Sequence, residues 1–175
     1  YLREDSQPTR ILAPSDPSIG PPNQGINWQP HQAKIPIASG GLTGTGLGEG
    51  TQSQSNAIPG KHTDFIFAVV GEELGLIGAC LVILLLMIIV IRCVQIGLRS
   101  GNTMSMLVCF GVASTVVFQT FENIGMCIGI APVVGITLPF FSYGGSSLFS
   151  MFAAMGLVSG IKYRPKPTRA AIYGR

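Results

Sequence analysis

The chain has 175 residues, enough for one domain, of which 47% are hydrophobic and only 11% charged, against about 25% charged in an average soluble domain. The apolar residues concentrate after position 64, which points to an all-α membrane protein and away from a soluble enzyme. The net charge of +3 is small and no basic stripe carries interleaved aromatics, so nucleic acid is not an expected partner.

Residues 1–64 are polar and rich in Gly, Pro, Ser and Gln. Pro8, Pro14, Pro17, Pro21 and Pro22 exclude a long helix near the start. Asn27 to Ala38 has the composition of one short helix, interrupted at Pro36. Ser39 to Gln52, SGGLTGTGLGEGTQ, places glycine at 40, 41, 44, 46, 48 and 50. No Gly-Lys-Ser/Thr follows, so this is not a Walker A loop, and its spacing is not that of a dinucleotide fingerprint. Two readings remain: a flexible surface loop, or backbone that must approach a ligand or another segment closely.

Lys61-His62-Thr63-Asp64 forms a polar mouth that opens onto an apolar run, with Glu72 and Glu73 inside that run. The pattern predicts a first membrane span over about 65–93, with Thr63 or Asp64 as its N-cap and Gly71, Gly75, Gly78 and Ala79 as a small-residue stripe for close packing. Arg92 to Asn102 reads as a loop. A second span is predicted over about 104–130, with Gln119, Glu122 and Asn123 one turn apart on one face. An uncharged connection over 131–143 leads to a third span over about 146–163. The last residues, 164–175, form a basic tail. Cys80, Cys93, Cys109 and Cys127 lie in or beside apolar runs with no CxxC pair and read as packing residues, not as metal ligands.

Basic residues set the orientation. The 92–102 loop and the tail carry Arg and Lys, and the 131–143 connection carries none. The loop and tail are therefore expected in the cytoplasm, with residues 1–64 and 131–143 outside. The long outer segment needs an upstream span to deliver it, so the chain is expected to be the C-terminal part of a larger polytopic protein.

With that topology Asp64, Glu72, Glu122, Ser142 and Ser146 all lie toward one outward-facing site. Ionisable groups at membrane depth mark functional sites or buried pairs. Each also has a structural reading. Asp64 could only cap a helix, Glu72, Glu73 and Glu122 with Asn123 could only lock spans together, and Ser142 to Ser147 could only be a close-packed helix start. Lys61 and His62 could be ordinary interfacial residues. Both histidines lie in the outer segment without a GxSxG context, so no nucleophile triad is visible.

Three stretches in this order, GGLTGTGLGEGTQ, KHTDFIFAVVGEELGLIG and ENIGMCIGIAPVVGITLPFFSYGGSS, closely resemble the SEDS family (shape, elongation, division and sporulation; RodA, FtsW, SpoVE). The match reaches back to Asn27-Trp28-Gln29 and Gln32 and covers all but the tail. The GTQ, NIGMCIG and GITLPFFS wording is more similar to the RodA branch. The resemblance implies a protein of roughly ten spans, of which this chain holds the large outer loop and the last three. It implies a peptidoglycan glycosyltransferase of the bacterial cell membrane that polymerises lipid II for elongation and cell shape. Asp64 of the HTDF motif would be its general base, and Lys61, His62, Gln32, Glu72, Glu122, Ser142 and Ser146 would be substrate-binding residues. A class B penicillin-binding protein is the implied partner. Lys61, helix N-termini or a divalent cation such as Mg²⁺ would offset the leaving diphosphate; no cofactor beyond that is expected. Gly60 departs from the family pattern, since a Glu usually precedes the HTDF motif, and its absence weakens a metal role there. The chain alone is expected to be inactive. A lipid II flippase and a non-catalytic scaffold are the competing functions.

Overall fold

The computed structural model describes residues 28–50 and 63–163; for 28–33 it describes the backbone only. Among the described residues five helices follow one another: α1 (Trp28–Ser39), α2 (Ile66–Glu73), α3 (Gly75–Arg99), α4 (Thr103–Ile128) and α5 (Gly145–Tyr163). Among the described residues there is no strand.

Two of these helices, α3 and α4, are long and apolar enough to cross a membrane. Their 25 and 26 residues reach about 37–39 Å at 1.5 Å per residue, against a hydrocarbon core of about 30 Å. Most of the aliphatic side chains of α3 point outward, Leu76, Ile77, Leu81, Leu84 and Met87 among them. A soluble protein could not tolerate so broad an exposed apolar face; a bilayer requires one. A shallow apolar groove of about 430 Å³ runs between the two helices past Val90, Val94, Phe110 and Phe121. The third predicted span is a helix at the expected place, α5, with 19 residues. Its serines and Lys162 make it less apolar than the other two.

A tight turn at Ser100 to Asn102 makes α3 and α4 an antiparallel pair. Gly101 supplies a positive φ of 67°, and the Asn102 side chain caps α4 by accepting from the Met104 amide at 3.0 Å. Arg92, expected in a loop, lies inside α3, whose apolar run simply continues to Arg99. At the other end α4 stops at Gly129, in the left-handed conformation with φ 76°, and the Ile130 amide returns to the Gly125 carbonyl at 2.8 Å.

The expected single helix over 65–93 is broken. α2 ends at Glu73, and α3 starts at Gly75, where φ is 67°. Such a break frees carbonyls on one side and amides on the other. The Gly-rich segment takes up both. Thr45 N–H donates to the Glu72 carbonyl at 2.9 Å and Gly46 N–H to the Glu73 carbonyl at 3.1 Å. The Thr45 hydroxyl adds a second bond to Glu72 O, 3.1 Å long. In return Leu76 N–H donates to Gly41 O at 3.0 Å and Ile77 N–H to Leu42 O at 3.3 Å. Of the two sequence readings of this segment, close backbone approach is the one the structure shows. The small residues Gly71 and Gly75 likewise face this outer segment, Ile37 and Leu42–Gly44, and not a neighbouring span.

α1 packs on α2 and on the end of α4. It continues through Pro36 to Ser39; the expected interruption does not occur. Proline lacks the N–H that the helix would use there, but its own carbonyl is satisfied by Gly40 N–H at 3.1 Å and Ser39 Oγ at 2.9 Å. Lys34 lies over Gly129 at the α4 C-terminus, where a cation offsets the helix dipole.

One core joins these parts: Phe65, Phe67 and Ala68 from the α2 end meet Ala79, Val82, Leu86, Val116, Cys127, Leu138 and Met151. Burying each Phe contributes about 1.5–3 kcal/mol. Cys93, Cys109, Ala113 and Val158 form a second cluster nearer the α3–α4 turn. All four cysteines are free, and Cys93, Cys109 and Cys127 are buried.

A Cβ at Gly44, where φ is 79°, would overlap the Glu73 carbonyl. Gly44→Ala is expected to destabilise the full-length protein by about 2 kcal/mol or more, from the positive φ and the overlap together. Thermal unfolding in detergent would show this as a lowered Tm, whereas the same change at Gly111, inside α4 and facing open space, does not lower it.

Candidate functional site

Residues 63–65 lead into α2 in irregular conformation, and here the polar groups of three segments meet. Asp64 is half-buried. The Asp64 carboxylate lies against Gly135 of the 131–143 connection: a Cβ built on Gly135, whose φ is 75°, would stand 3.3 Å from Asp64 Oδ2. Asp64 is not the helix cap the sequence suggested, nor is Thr63. Phe65 occupies the N-cap position, and no side chain makes a cap bond; the Phe65 carbonyl takes the first amides, Ala68 N at 3.0 Å and Val69 N at 3.4 Å. The carboxylate is therefore not committed to capping the helix.

The backbone around Asp64 is held from outside. Asn123 of α4, 0% exposed, donates from Nδ2 to the Asp64 carbonyl at 2.8 Å and to the Ile136 carbonyl at 2.7 Å. Ser142, 2% exposed, donates to the Thr63 carbonyl at 2.6 Å and accepts from the Leu138 amide at 2.7 Å. A turn at Leu138–Ser142 presents that hydroxyl. Phe140 within it has φ 66°, a strained value for a side chain that costs about 1–3 kcal/mol. Packing holds it there: Phe140 meets Phe152 of α5 edge to face, centroids 5.6 Å apart.

The other predicted site residues are distributed unevenly. Ser146 is exposed in the first turn of α5, beside Ser147, which shares a 2.9 Å hydrogen bond with Thr137. Glu122 is half-buried beside Asn123 on α4 and takes no part in these contacts. Glu72 is 0% exposed, set beneath the Gly-rich segment and just before the start of α3, so it does not line an open surface. The Ser142 hydroxyl, expected to meet substrate, is buried with both its bonds made inside the chain. Gln32 sits on α1 with its side chain outside the described residues, and Lys61 and His62 lie outside them altogether. Gln119 Oε1 and Asn123 Oδ1, one turn apart on α4, are buried acceptors with no donor among the described residues. No group of three or more His, Cys, Asp and Glu side chains that could hold a metal occurs among the described residues.

Sequence reasoning placed Asn123 on the polar face of α4 but not in contact with Asp64. The only signal was an amide one residue after a carboxylate inside an apolar helix. Its partners are backbone carbonyls 59 and 13 positions away, which no local pattern reveals.

These features define a helical membrane protein in which the Gly-rich segment and α1 fold onto the long helices at the end where Asp64 lies. The chain belongs to the FtsW/RodA/SpoVE family of cell cycle proteins, whose model matches residues 1–166. It is 42% identical over 161 residues to the peptidoglycan glycosyltransferase MrdB of Escherichia coli K12, covering 92% of this chain and 43% of that protein. It is 39% identical over 167 residues to the probable peptidoglycan glycosyltransferase FtsW of Geobacter metallireducens, covering 95% of this chain and 44% of the relative. Among solved structures, a chain of a peptidoglycan synthase complex that coordinates polymerization and crosslinking is similar with a TM-score of 0.68 at 29% identity, over 93% of this chain and 44% of that one. The chain thus spans less than half the length of these relatives.

Gly135→Ala is expected to cost about 1–3 kcal/mol of stability from its positive φ and to push the Asp64 carboxylate off its seat. A lowered Tm, together with a larger loss of function than that caused by alanine at the freely exposed Gly145, would be the outcome in the full-length protein.

Proposed function

We propose that the full-length protein polymerises lipid II into glycan strands at the outer face of the bacterial cell membrane, with Asp64 as general base, in cell-wall elongation. Relatives over 92–95% of the chain carry the name peptidoglycan glycosyltransferase. The observation that carries the residue assignment is Asp64 itself: a half-buried carboxylate, not used as a cap, at the end of the spans where α1, α2 and the 131–143 connection converge.

The donor presents a diphosphate on its anomeric carbon, which leaves without a proton, so the protein needs only a base. The Asp64 carboxylate takes the proton of the acceptor C4 hydroxyl. The freed oxygen attacks the anomeric carbon opposite the diphosphate, the C–O bond to the diphosphate breaks, and the α-linked donor becomes a β-linked product. An Asp at the boundary of water and lipid does this while the polyprenyl tails stay in the bilayer. The departing charge calls for a counter-charge: Lys61, the first turn of α5 at Ser146, or a divalent cation carried on the diphosphate. Gln32, His62 and Glu122 complete the proposed lining.

Positive charge on the α3–α4 turn side (Arg92, Arg99) and in the tail supports a cytoplasmic position for both, with Asp64 outside and α5 as the third span. A class B penicillin-binding protein is the proposed partner; a solved relative belongs to a synthase complex that couples polymerization to crosslinking. Glu72, sealed under the Gly-rich segment, gives no support to a transport route.

Asp64→Asn in the purified full-length protein, given lipid II, is expected to lower the polymerisation rate by at least ~100-fold with Tm unchanged. Glycan strands formed at near wild-type rate by this variant would remove Asp64 as the base. Lipid movement lost only on changes at Glu72 or Glu122, with no polymer ever formed, would favour the flippase.

A further inference from the structure

We infer that Asn123 and Ser142 are positioning residues that fix the backbone of Asp64 on both sides and thereby aim its carboxylate. The inference rests on the reading of Asp64 as the base. A side chain's direction follows from the two peptide planes that flank its Cα. The plane before Asp64 carries the Thr63 carbonyl, and the Ser142 hydroxyl binds it at 2.6 Å. The plane after Asp64 carries the Asp64 carbonyl, and Asn123 Nδ2 binds it at 2.8 Å. Neither carbonyl makes a bond inside α2, since Phe65 supplies the first helical acceptor. Asn123 and Ser142 thus restrain both planes, and the carboxylate with them.

The same two side chains also hold the opposite wall. Asn123 Nδ2 binds the Ile136 carbonyl at 2.7 Å, next to Gly135, on which the carboxylate rests. Ser142 Oγ accepts from Leu138 at 2.7 Å. One amide and one hydroxyl thus set the distance between the base and the connection that faces it. Three of the four bonds are made to carbonyl oxygens, so the residues must donate. Aspartate in place of Asn123 could donate only while protonated, and then to one carbonyl. The carboxylates nearby, Asp64 and Glu122, favour its protonated form, the Cys127 thiol one turn away on α4 adds no charge, and the α1 cation, Lys34, at Gly129 opposes protonation from further off.

The test uses the purified full-length protein with lipid II, measuring kcat, KM and Tm from pH 6 to 9. Asn123→Leu is expected to lower kcat about 30- to 100-fold, the scale of a misplaced catalytic group, with KM within about threefold. Asn123→Asp is expected to retain activity within about tenfold of wild type at pH 6 and to fall to the level of the Leu variant by pH 8–9, at constant folded fraction. The wild type shows no such alkaline loss. Ser142→Ala, which removes a smaller group, is expected to lower kcat about tenfold and serves if the Asn123 variants do not fold. The inference is overturned if these variants keep kcat within twofold, or if kcat merely follows Tm and Asn123→Asp has the wild-type pH profile. Asp64→Asn run alongside separates the two ideas. An inactive Asp64→Asn with a fully active Asn123→Leu sinks the positioning role alone, and an active Asp64→Asn sinks the base and the positioning role together.

Discussion

Unsatisfied backbone groups are the constraint from which this architecture follows. Where the chain leaves helical conformation beside a bilayer, water is scarce and each orphan N–H or C=O is costly. The break between Glu73 and Gly75 exposes such groups at the entrance to α3. The Gly-rich segment supplies their partners from its own backbone, in both directions, Thr45 and Gly46 to Glu72 and Glu73, Leu76 and Ile77 to Gly41 and Leu42. At Gly40, Gly44 and Gly75 a Cβ would overlap the facing backbone, so glycine is required at those positions. The Gly-rich segment is therefore part of the helical body and not an appendage to it.

The same constraint shapes the approach to Asp64. Residues 63–65 and the 131–143 connection are both irregular, and each would leave carbonyls unpaired. Side chains from α4 and from the Leu138–Ser142 turn close the gap. The bonds that satisfy the backbone also hold the residue that bears the carboxylate. The strain at Phe140 belongs to the same arrangement, since the turn it forms delivers Ser142. Glu72 and Glu73 are the contrast. They looked like membrane-depth charges when the first span was taken as one helix. With the break in place they end α2, where the Gly-rich segment binds both their carbonyls.

Family membership and the structural likeness to a peptidoglycan synthase chain agree with this organisation. Less than half of each relative's length is represented here.

Much of this was determined by the sequence alone. The apolar runs set α4 and α5 to within a few residues, because hydrophobic length and helical capping are local properties, whereas the single span expected over 65–93 is split into α2 and an α3 that runs on to Arg99. The HTDF stretch and its order relative to GGLTGTG and SYGGSS carried the family resemblance. Tertiary structure decided the rest. The break at Leu74–Gly75 cannot be read locally, because an uninterrupted apolar run with glycine suits a continuous helix equally well until a distant loop offers hydrogen bonds in exchange. Asn123 and Ser142 act on Asp64 from 59 and 78 positions away along the chain, and a contact that depends on two helices meeting has no signature in either one. What a carboxylate can do is written in its residue type; where it is held, and by what, exists only once the chain has folded around it.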